Sequence, residues 1–425
     1  MPKAPSPTGI TIVAGGTRGD VQPLIALASG LLAANMPTHL ITRQPFAALA
    51  QQYHVPTTLI QHDPVDLLQS SAGEAALTYH RGPLTSARAT LRYLRQARPV
   101  FAQMLRETWE ACQNSTALVV TLPTTWAEQI AEVRDIPVVR AFFQPLGPTS
   151  VFPSPLLPFG RSLGPGLNRA SHRLVQLSLW APWYTELNQW RKHFLGLPAL
   201  AWHGPPRQAW PELYAFSPLV VPRPPDWATN QTITGYWWLP PDPSWQPPPQ
   251  LVEWLAHGPP AIYIGFGSSG AHIDAQLLGQ LQTVLNRVGV RAILGGVDPN
   301  FPLSDRCYVA NSIHHDWLFS QLKTIVHHGG AGTTATALKA GVPQIVLPVG
   351  VDHAFWGQRI AALGVGPEPI AMRNFAIEPL VSALQECLDK RSFTTRAHQM
   401  ASVVRNEQGV RCGVKILQSV VKVES

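Results

Sequence analysis

The sequence predicts an α/β chain built from two doubly wound parallel-sheet domains that face a cleft. Three observations predict it. The length of 425 residues exceeds one ordinary core and suits two domains of about 200 residues each. One pattern, apolar strand then glycine-rich turn then helix, occurs twice, in GITIVAGGTRGDVQPLIALASGLLAA (9–34) and PAIYIGFGSSGAHIDAQLLGQLQTVL (260–285). Each copy has the form that opens a Rossmann-like parallel sheet, with its turn at the carboxyl end of the first strand. Further apolar strands alternate with helical stretches, as parallel strands with crossover helices require.

In the first half the strand candidates after the opening unit are THLITR, ALVVTL and PVVRAFF. The segment SARATLRYLRQARPVFAQMLRETWEAC reads as a long helix among them. The stretch VVPRPPDWATNQTITGYWWLPPDPSWQPPPQ has many prolines and no helical period, and it marks a connection. The expected organisation is therefore an N-terminal domain over 1–225, a Pro/Trp-rich linker over 226–250 and a C-terminal domain over 251–425. In the second domain the strands are VRAILGG, TIVHH and PQIVLPV, with TATALKAG as a helix and a further helical stretch over 392–423.

Composition narrows the function classes. No apolar run reaches the roughly 18 residues of a membrane span, and the opening MPKAPSPTGI lacks the apolar core of a secretory signal, so a cytoplasmic protein is expected. The cysteines at 112, 307, 387 and 412 form no C-x-x-C pair, which speaks against a zinc site or a disulfide framework. Residues 1–225 hold 18 Lys and Arg against 11 Asp and Glu, and the rest of the chain is balanced. Arg81, Arg88, Arg92, Arg95, Arg98 and Arg106 occupy a segment without an acid. On a helix, with Leu91, Tyr93, Leu94 and Phe101 between them, they form either an ordinary solvated face or a surface for anionic lipid or an acidic partner. Nothing resembles a nucleic-acid recognition module.

The richest motif is VHHGGAGTTATALKAGVPQIVLPVGVDHAFWG, 326–357. A turn that leaves a strand and opens a helix presents free N–H groups at the positive end of the helix dipole, which suits an anion. Gly329, Gly330 and Gly332 let a phosphate approach the backbone, and Thr333, Thr334 and a histidine add donors. Asp352 and His353 follow the next strand, at the same sheet edge, where an ionised acid can hold sugar hydroxyls. Adjacent histidines diverge, so a metal set is disfavoured, and a P-loop would need G-K-[ST]. The turn with Gly265, Gly267 and Gly270 matches G-x-G-x-x-G. The acid a dinucleotide site requires about twenty residues on is missing, and a second phosphate contact through Ser268 and Ser269 fits better.

These residues resemble the donor-sugar signature of the family-1 nucleotide-diphosphate glycosyltransferases, whose two-domain architecture is the GT-B fold. The HHGGAGTT and FWG forms are most similar to the branch with the sterol 3-β-glucosyltransferases and the enzymes that glycosylate glycopeptide antibiotics. GGTRGDVQP, TGYWWLPP, YIGFGSSG and IHHDWLFSQL extend the resemblance along the chain. It implies that His328, Gly330, Gly332 and Thr333 hold the donor diphosphate, with Ser268 and Ser269 opposite. Ile313, His314 and His315 would pack the nucleobase, and Asp352 would bind the sugar. The chain departs from the family at His353, where relatives have Gln, so donor identity is open there. UDP-glucose is the default co-substrate, with no metal or other cofactor.

In GGTRGD, Asp20 stands at the first strand-to-helix turn, so it is either a helix N-cap or a base that accepts the proton of an attacking hydroxyl. The resemblance favours the base, and a single carboxylate implies one displacement with inversion. A hydrophobic small-molecule acceptor is expected in the N-terminal domain, where Phe142, Phe143, Phe152 and Trp180 are candidates for an apolar pocket. The aromatics and the arginines together favour a sterol-like acceptor met at an anionic membrane surface. An antibiotic-tailoring enzyme using a dTDP-sugar, and a catalytically silent sugar-nucleotide binder, are the competing readings.

Overall fold

The computed structural model describes residues 9–69, 83–158, 161–204, 209–267, 275–297, 304–310, 313–350, 352–372 and 375–422. Two parallel sheets form its centre. The first is built from β1 (Gly9–Val13), β2 (Thr38–Arg43), β3 (Thr57–Ile60), β4 (Ser115–Val120), β5 (Val138–Phe142), β6 (Glu212–Tyr214) and β7 (Gln231–Ile233). Their order across the sheet is β3-β2-β1-β4-β5-β6-β7. The second contains β8 (Ala261–Gly265), β9 (Arg291–Gly295), β10 (Cys307–Val309), β11 (Ile325–His327) and β12 (Gln344–Val346), ordered β10-β9-β8-β11-β12. In both sheets the opening strand lies inside, and the strand order reverses beside it. That is the switch point where open α/β sheets bind ligands.

The helices are α1 (Arg18–Ala33), α2 (Ala47–Gln52), α3 (Pro83–Ala111), α4 (Glu128–Arg134), α5 (Pro165–Trp180), α6 (Tyr184–Trp190) and α7 (Pro249–Ala256) in the first part of the chain. Then come α8 (Ala275–Val288), α9 (His315–Leu318), α10 (Ala331–Ala340), α11 (His353–Ala362), α12 (Ile377–Asp389), α13 (Arg391–Val404) and α14 (Gly409–Lys422). The helical stretch expected over 392–423 is two helices, broken after Val404. Along α3, Ala97, Phe101, Met104, Leu105 and Thr108 recur at helical spacing and are buried. Arg88, Arg92, Arg95, Arg98 and Arg106 stay exposed on the remaining surface, with Leu91 67% exposed among them.

Two features cross the expected boundary. The segment read as a linker supplies β7, which pairs with β6 through Glu212–Gln231, Leu213–Thr232 and Tyr214–Ile233. This short strand is flanked by prolines and by Gly235, which masks its pattern. The chain end returns to the first half: α14 packs on α1, and a Cβ at Gly30 would stand 2.4 Å from Val410 Cγ1, so the missing side chain admits the contact. An aromatic cluster joins the halves, with Phe142, Tyr214, Phe216 and Trp227 against Phe355, Trp356 and Ile360. Phe216 meets Trp356 at 6.1 Å between ring centroids.

Candidate active site

The glycine-rich turn after β11 is assembled around two histidines with different tasks. His327 is fully buried; Gly329 donates its N–H to Nδ1 at 3.1 Å, and the proton left on Nε2 is donated to Gln344 Oε1 at 2.9 Å. It braces the turn from behind. His328 turns to the other side, where its ring lies against both glycine turns. A Cβ on Gly330 would stand 2.4 Å from its Nε2, and one on Gly267 would stand 2.5 Å from its Cε1. Gly329 has φ +92, and a Cβ there would meet Val346 Cγ1 at 2.7 Å and the His353 carbonyl at 2.8 Å, so only glycine fits. Gly330 caps α10, whose first turn holds Gly332 and Thr333. Burial, reinforced by His353 and opposed by a hydrogen bond to the Gly265 backbone, lowers the pKa of His328 to about 4, so the ring is neutral and not a cation.

At the end of β12, Asp352 is buried, and its Oδ2 accepts Trp356 Nε1–H at 3.0 Å and Gln144 Nε2–H at 3.3 Å. Gln144 follows β5, so this bond crosses between the sheets. His353 accepts the N–H of Gly350 at 2.7 Å and that of Val349 at 3.3 Å, both on Nδ1. The proton therefore sits on Nε2, and the residue offers only a donor; burial lowers its pKa to about 4. Its ring stands 4.7 Å from that of His328.

His314 stacks on Trp245 with centroids 4.4 Å apart and planes 8° from parallel. Trp245 comes from the proline-rich stretch and was not a sequence candidate; a lone tryptophan among prolines carries no local signal of stacking. His315 is turned inward, stacked on Phe319 at 4.6 Å and edge-on to Tyr263, and Ile313 packs against the core cluster that contains Leu251 and Leu318. Ser268 and Ser269 lie outside the described residues.

On the opposite wall, Thr17 and not Asp20 is the N-cap of α1. Asp20 occupies the third helical position and closes a capping box. Its Oδ2 accepts the Thr17 N–H at 2.8 Å and the Thr17 hydroxyl at 3.0 Å, while Oδ1 has no partner among the described residues. Burial, opposed by the Thr17 bonds and helped by the charge of Asp352, raises its pKa to about 6. The turn itself is held by Arg43, which donates Nη2–H to the Gly16 carbonyl at 2.6 Å and pairs with Asp63 and Asp66. Its distance in sequence from Gly16 hid that role. The α1 and α10 N-termini converge, for a Cβ on Gly332 would lie 4.0 Å from Gly19 Cα.

A cavity of about 830 Å³ leads from Asp20 into the first half, lined among others by Asp63, Tyr93, Phe142, Trp180 and Trp183. Arg140 forms part of its polar wall, bound to both oxygens of Glu128 at 2.7 and 3.0 Å and to Glu212 at 3.3 Å. Phe143 and Phe152 do not line it. Phe143 packs edge-on against Trp237 in the sheet core, and Phe152 lies 5.4 Å from Phe355. Side chains alternate across β5 and its continuation, so Phe142 and Phe143 cannot serve the same face. Among the described residues no group of three His, Cys, Asp or Glu is placed to hold a metal ion.

Comparisons with known proteins agree with this architecture. Residues 10–153 match the glycosyltransferase family 28 N-terminal domain, and residues 302–409 match the erythromycin biosynthesis protein CIII-like C-terminal domain. The sterol 3-beta-glucosyltransferase of Neosartorya fischeri is 31% identical over 427 residues, covering 96% of this chain and 29% of that protein. That of Emericella nidulans is 32% identical over 434 residues, covering 98% and 30%. The chain thus spans less than a third of the curated relatives it matches. Among solved structures, the glycotransferase of kitacinnamycin superposes with a TM-score of 0.71 at 16% identity, covering 97% of this chain and 99% of its own. The spinosyn forosaminyltransferase gives 0.68 at 17% identity, covering 98% and 99%. The chain thus matches the N-terminal domain of glycosyltransferase family 28 at one end and the erythromycin biosynthesis protein CIII-like C-terminal domain at the other, on the two-sheet GT-B architecture of the solved glycosyltransferases.

Proposed function

We propose that the chain is an inverting glycosyltransferase that moves a sugar, by default glucose from UDP-glucose, to a hydroxyl of a hydrophobic, sterol-like acceptor. The observation that carries this reading is the placement of Asp20, with one free carboxylate oxygen, between the large cavity and the facing turn of His328 and Asp352. An acceptor in the cavity brings its hydroxyl to Asp20 Oδ1. Because Asp20 is far less basic than an alkoxide, proton transfer accompanies attack on the anomeric carbon. A carboxyl raised to about 6 is a stronger base than an ordinary aspartate and is still ionised at neutral pH.

The departing nucleoside diphosphate gains charge where the α10 N-terminus, the Gly330 and Gly332 backbone, Thr333 and neutral His328 provide donors. Those groups supply the stabilisation without a metal ion. Asp352 receives sugar hydroxyls in place of Gln144, His353 adds its Nε2–H, and the Trp245–His314 pair with Ile313 offers the nucleobase a flat surface. In this reading the acceptor belongs to the part formed by residues 1–225 with β7, and the donor to residues 251–425.

The relatives named sterol 3-beta-glucosyltransferase support a sterol-like alcohol, and Tyr93, Trp180 and Trp183 supply a cavity wall suited to one. No helix among the described residues is long and apolar enough to cross a membrane. The exposed arginines of α3 and Leu91 support peripheral contact with an anionic bilayer. A mass-spectrometric screen of UDP- and dTDP-sugars against sterols, flavonoids and polyketide aglycones tests the function. Transfer to sterols from UDP-glucose is expected, transfer only from dTDP-sugars to polyketides would favour natural-product tailoring, and donor binding without transfer would leave a silent binder.

A further inference from the structure

We propose that Arg18, the first residue of α1, is the cation that meets the donor diphosphate from across the cleft, an assignment that rests on the donor site described above. Among the described residues the donor's own half brings no lysine or arginine to the site from its strand-end loops. Residues 261–286, 310–322, 324–338 and 347–358, which include every loop leaving β8, β10, β11 and β12, contain neither lysine nor arginine. Of the cations that bound these segments, Lys323 stands beside the start of β8, at the opposite edge of the sheet, and two more are engaged elsewhere. Lys339, at the far end of α10, pairs with Asp316 at 3.0 Å, and Arg359 donates Nε–H to the Val220 carbonyl at 2.6 Å.

The histidines do not supply the missing charge, because burial holds His315, His328 and His353 neutral. Asp20 and Asp352 add negative charge around the same space. A nucleoside diphosphate bound there by backbone dipoles alone would carry its charge against two carboxylates.

Arg18 is placed to correct this. It is exposed and neighbours Gly19, the residue that approaches Gly332 at the head of α10. Its Nε–H is donated to Gln22 Oε1 at 3.0 Å, one turn along its own helix, and its terminal nitrogens have no partner among the described residues. Its charge already reaches across the cleft, where it helps keep His315 unprotonated. Arg18 and the α1 dipole on one side, with the α10 dipole on the other, enclose a site that is positive only when the two halves are together. The contact joins the halves around bound donor, and it strengthens as the leaving group gains charge, so it serves turnover as well as affinity.

The test is calorimetric titration of UDP, dTDP and uridine into wild type, Arg18→Lys and Arg18→Gln, at two salt concentrations. Arg18→Gln is expected to weaken UDP at least tenfold while leaving uridine unchanged, with Arg18→Lys between and a shallower salt dependence in the glutamine variant. Equal loss for UDP and uridine would mean that Arg18 only supports the turn, and undiminished UDP affinity would remove the contact; either result overturns the proposal. His328→Ala separates this from the donor site as a whole. If it weakens UDP while Arg18→Gln does not, the cradle stands and the cross-cleft contact falls. If wild type binds neither UDP nor dTDP, both fall.

Discussion

Replacing Asp20 by Asn removes the proposed base while keeping its place in the helix cap, since an amide oxygen can accept both Thr17 bonds. Turnover should drop by roughly two to four orders of magnitude, the scale of a lost general base. Stability should move the other way. The Asp20 carboxyl is raised from 3.8 to about 6 on folding, so between those values the folded chain binds more protons than the unfolded one, and stability falls as pH rises through that window. At about 1.4 kcal/mol per unit, the ionised residue costs the folded state up to about 3 kcal/mol at pH 7. This is an upper bound, because Asp20 keeps an edge open to the cleft. With an unfolding entropy of about 2.1 cal/mol/K per residue, a whole-chain transition would shift Tm upward by up to about 3 °C, and by about twice that if one half unfolds alone. Calorimetry at pH 7 and at pH 4 checks it, for the gain should vanish at pH 4, where wild-type Asp20 is protonated. The wild-type kcat/KM should fall about tenfold per unit below pH 6. An Asn variant that retains turnover within tenfold would refute the assignment, and an unchanged Tm at pH 7 would refute the account of the raised pKa.

Three further outcomes are expected. His328→Ala should weaken UDP binding roughly five- to a hundredfold, the range for loss of a buried donor; unchanged affinity by titration would remove His328 from the diphosphate site. His353→Gln replaces a residue fixed as a donor with one that can also accept, so the ratio of kcat/KM between UDP-glucose and UDP-galactose should change at least several-fold while UDP affinity stays within twofold. An unaltered ratio would show that His353 does not read the sugar. Vesicles with anionic lipid should sediment the protein and neutral ones should not, and Arg92→Glu with Arg95→Glu should abolish sedimentation; equal binding to both vesicle types would exclude the arginine face of α3.

The two parallel-sheet units were legible in the chain's local patterns, because a buried parallel strand, a glycine turn and an amphipathic helix each leave a short-range signature. GITIV and AIYIG become the inner strands β1 and β8, and HHGGAGTT becomes the turn before α10. The sequence also marked Asp20, His328, Asp352 and His353 as candidates, since polar residues at glycine-rich turns stand out by composition. What depends on partners distant in the chain emerged with the packing of the folded molecule. β7 is three residues long and is a strand only because β6 lies beside it. Arg43 reaches Gly16, Gln144 reaches Asp352 and Trp245 reaches His314 through contacts that no spacing announces. The two adjacent histidines look alike in sequence, yet one braces the turn and the other faces the cleft. Phe142 and Phe143 likewise part company across one strand. Which face of an element meets the cavity, and which proton a buried ring keeps, is fixed by packing and by the hydrogen bonds that packing permits.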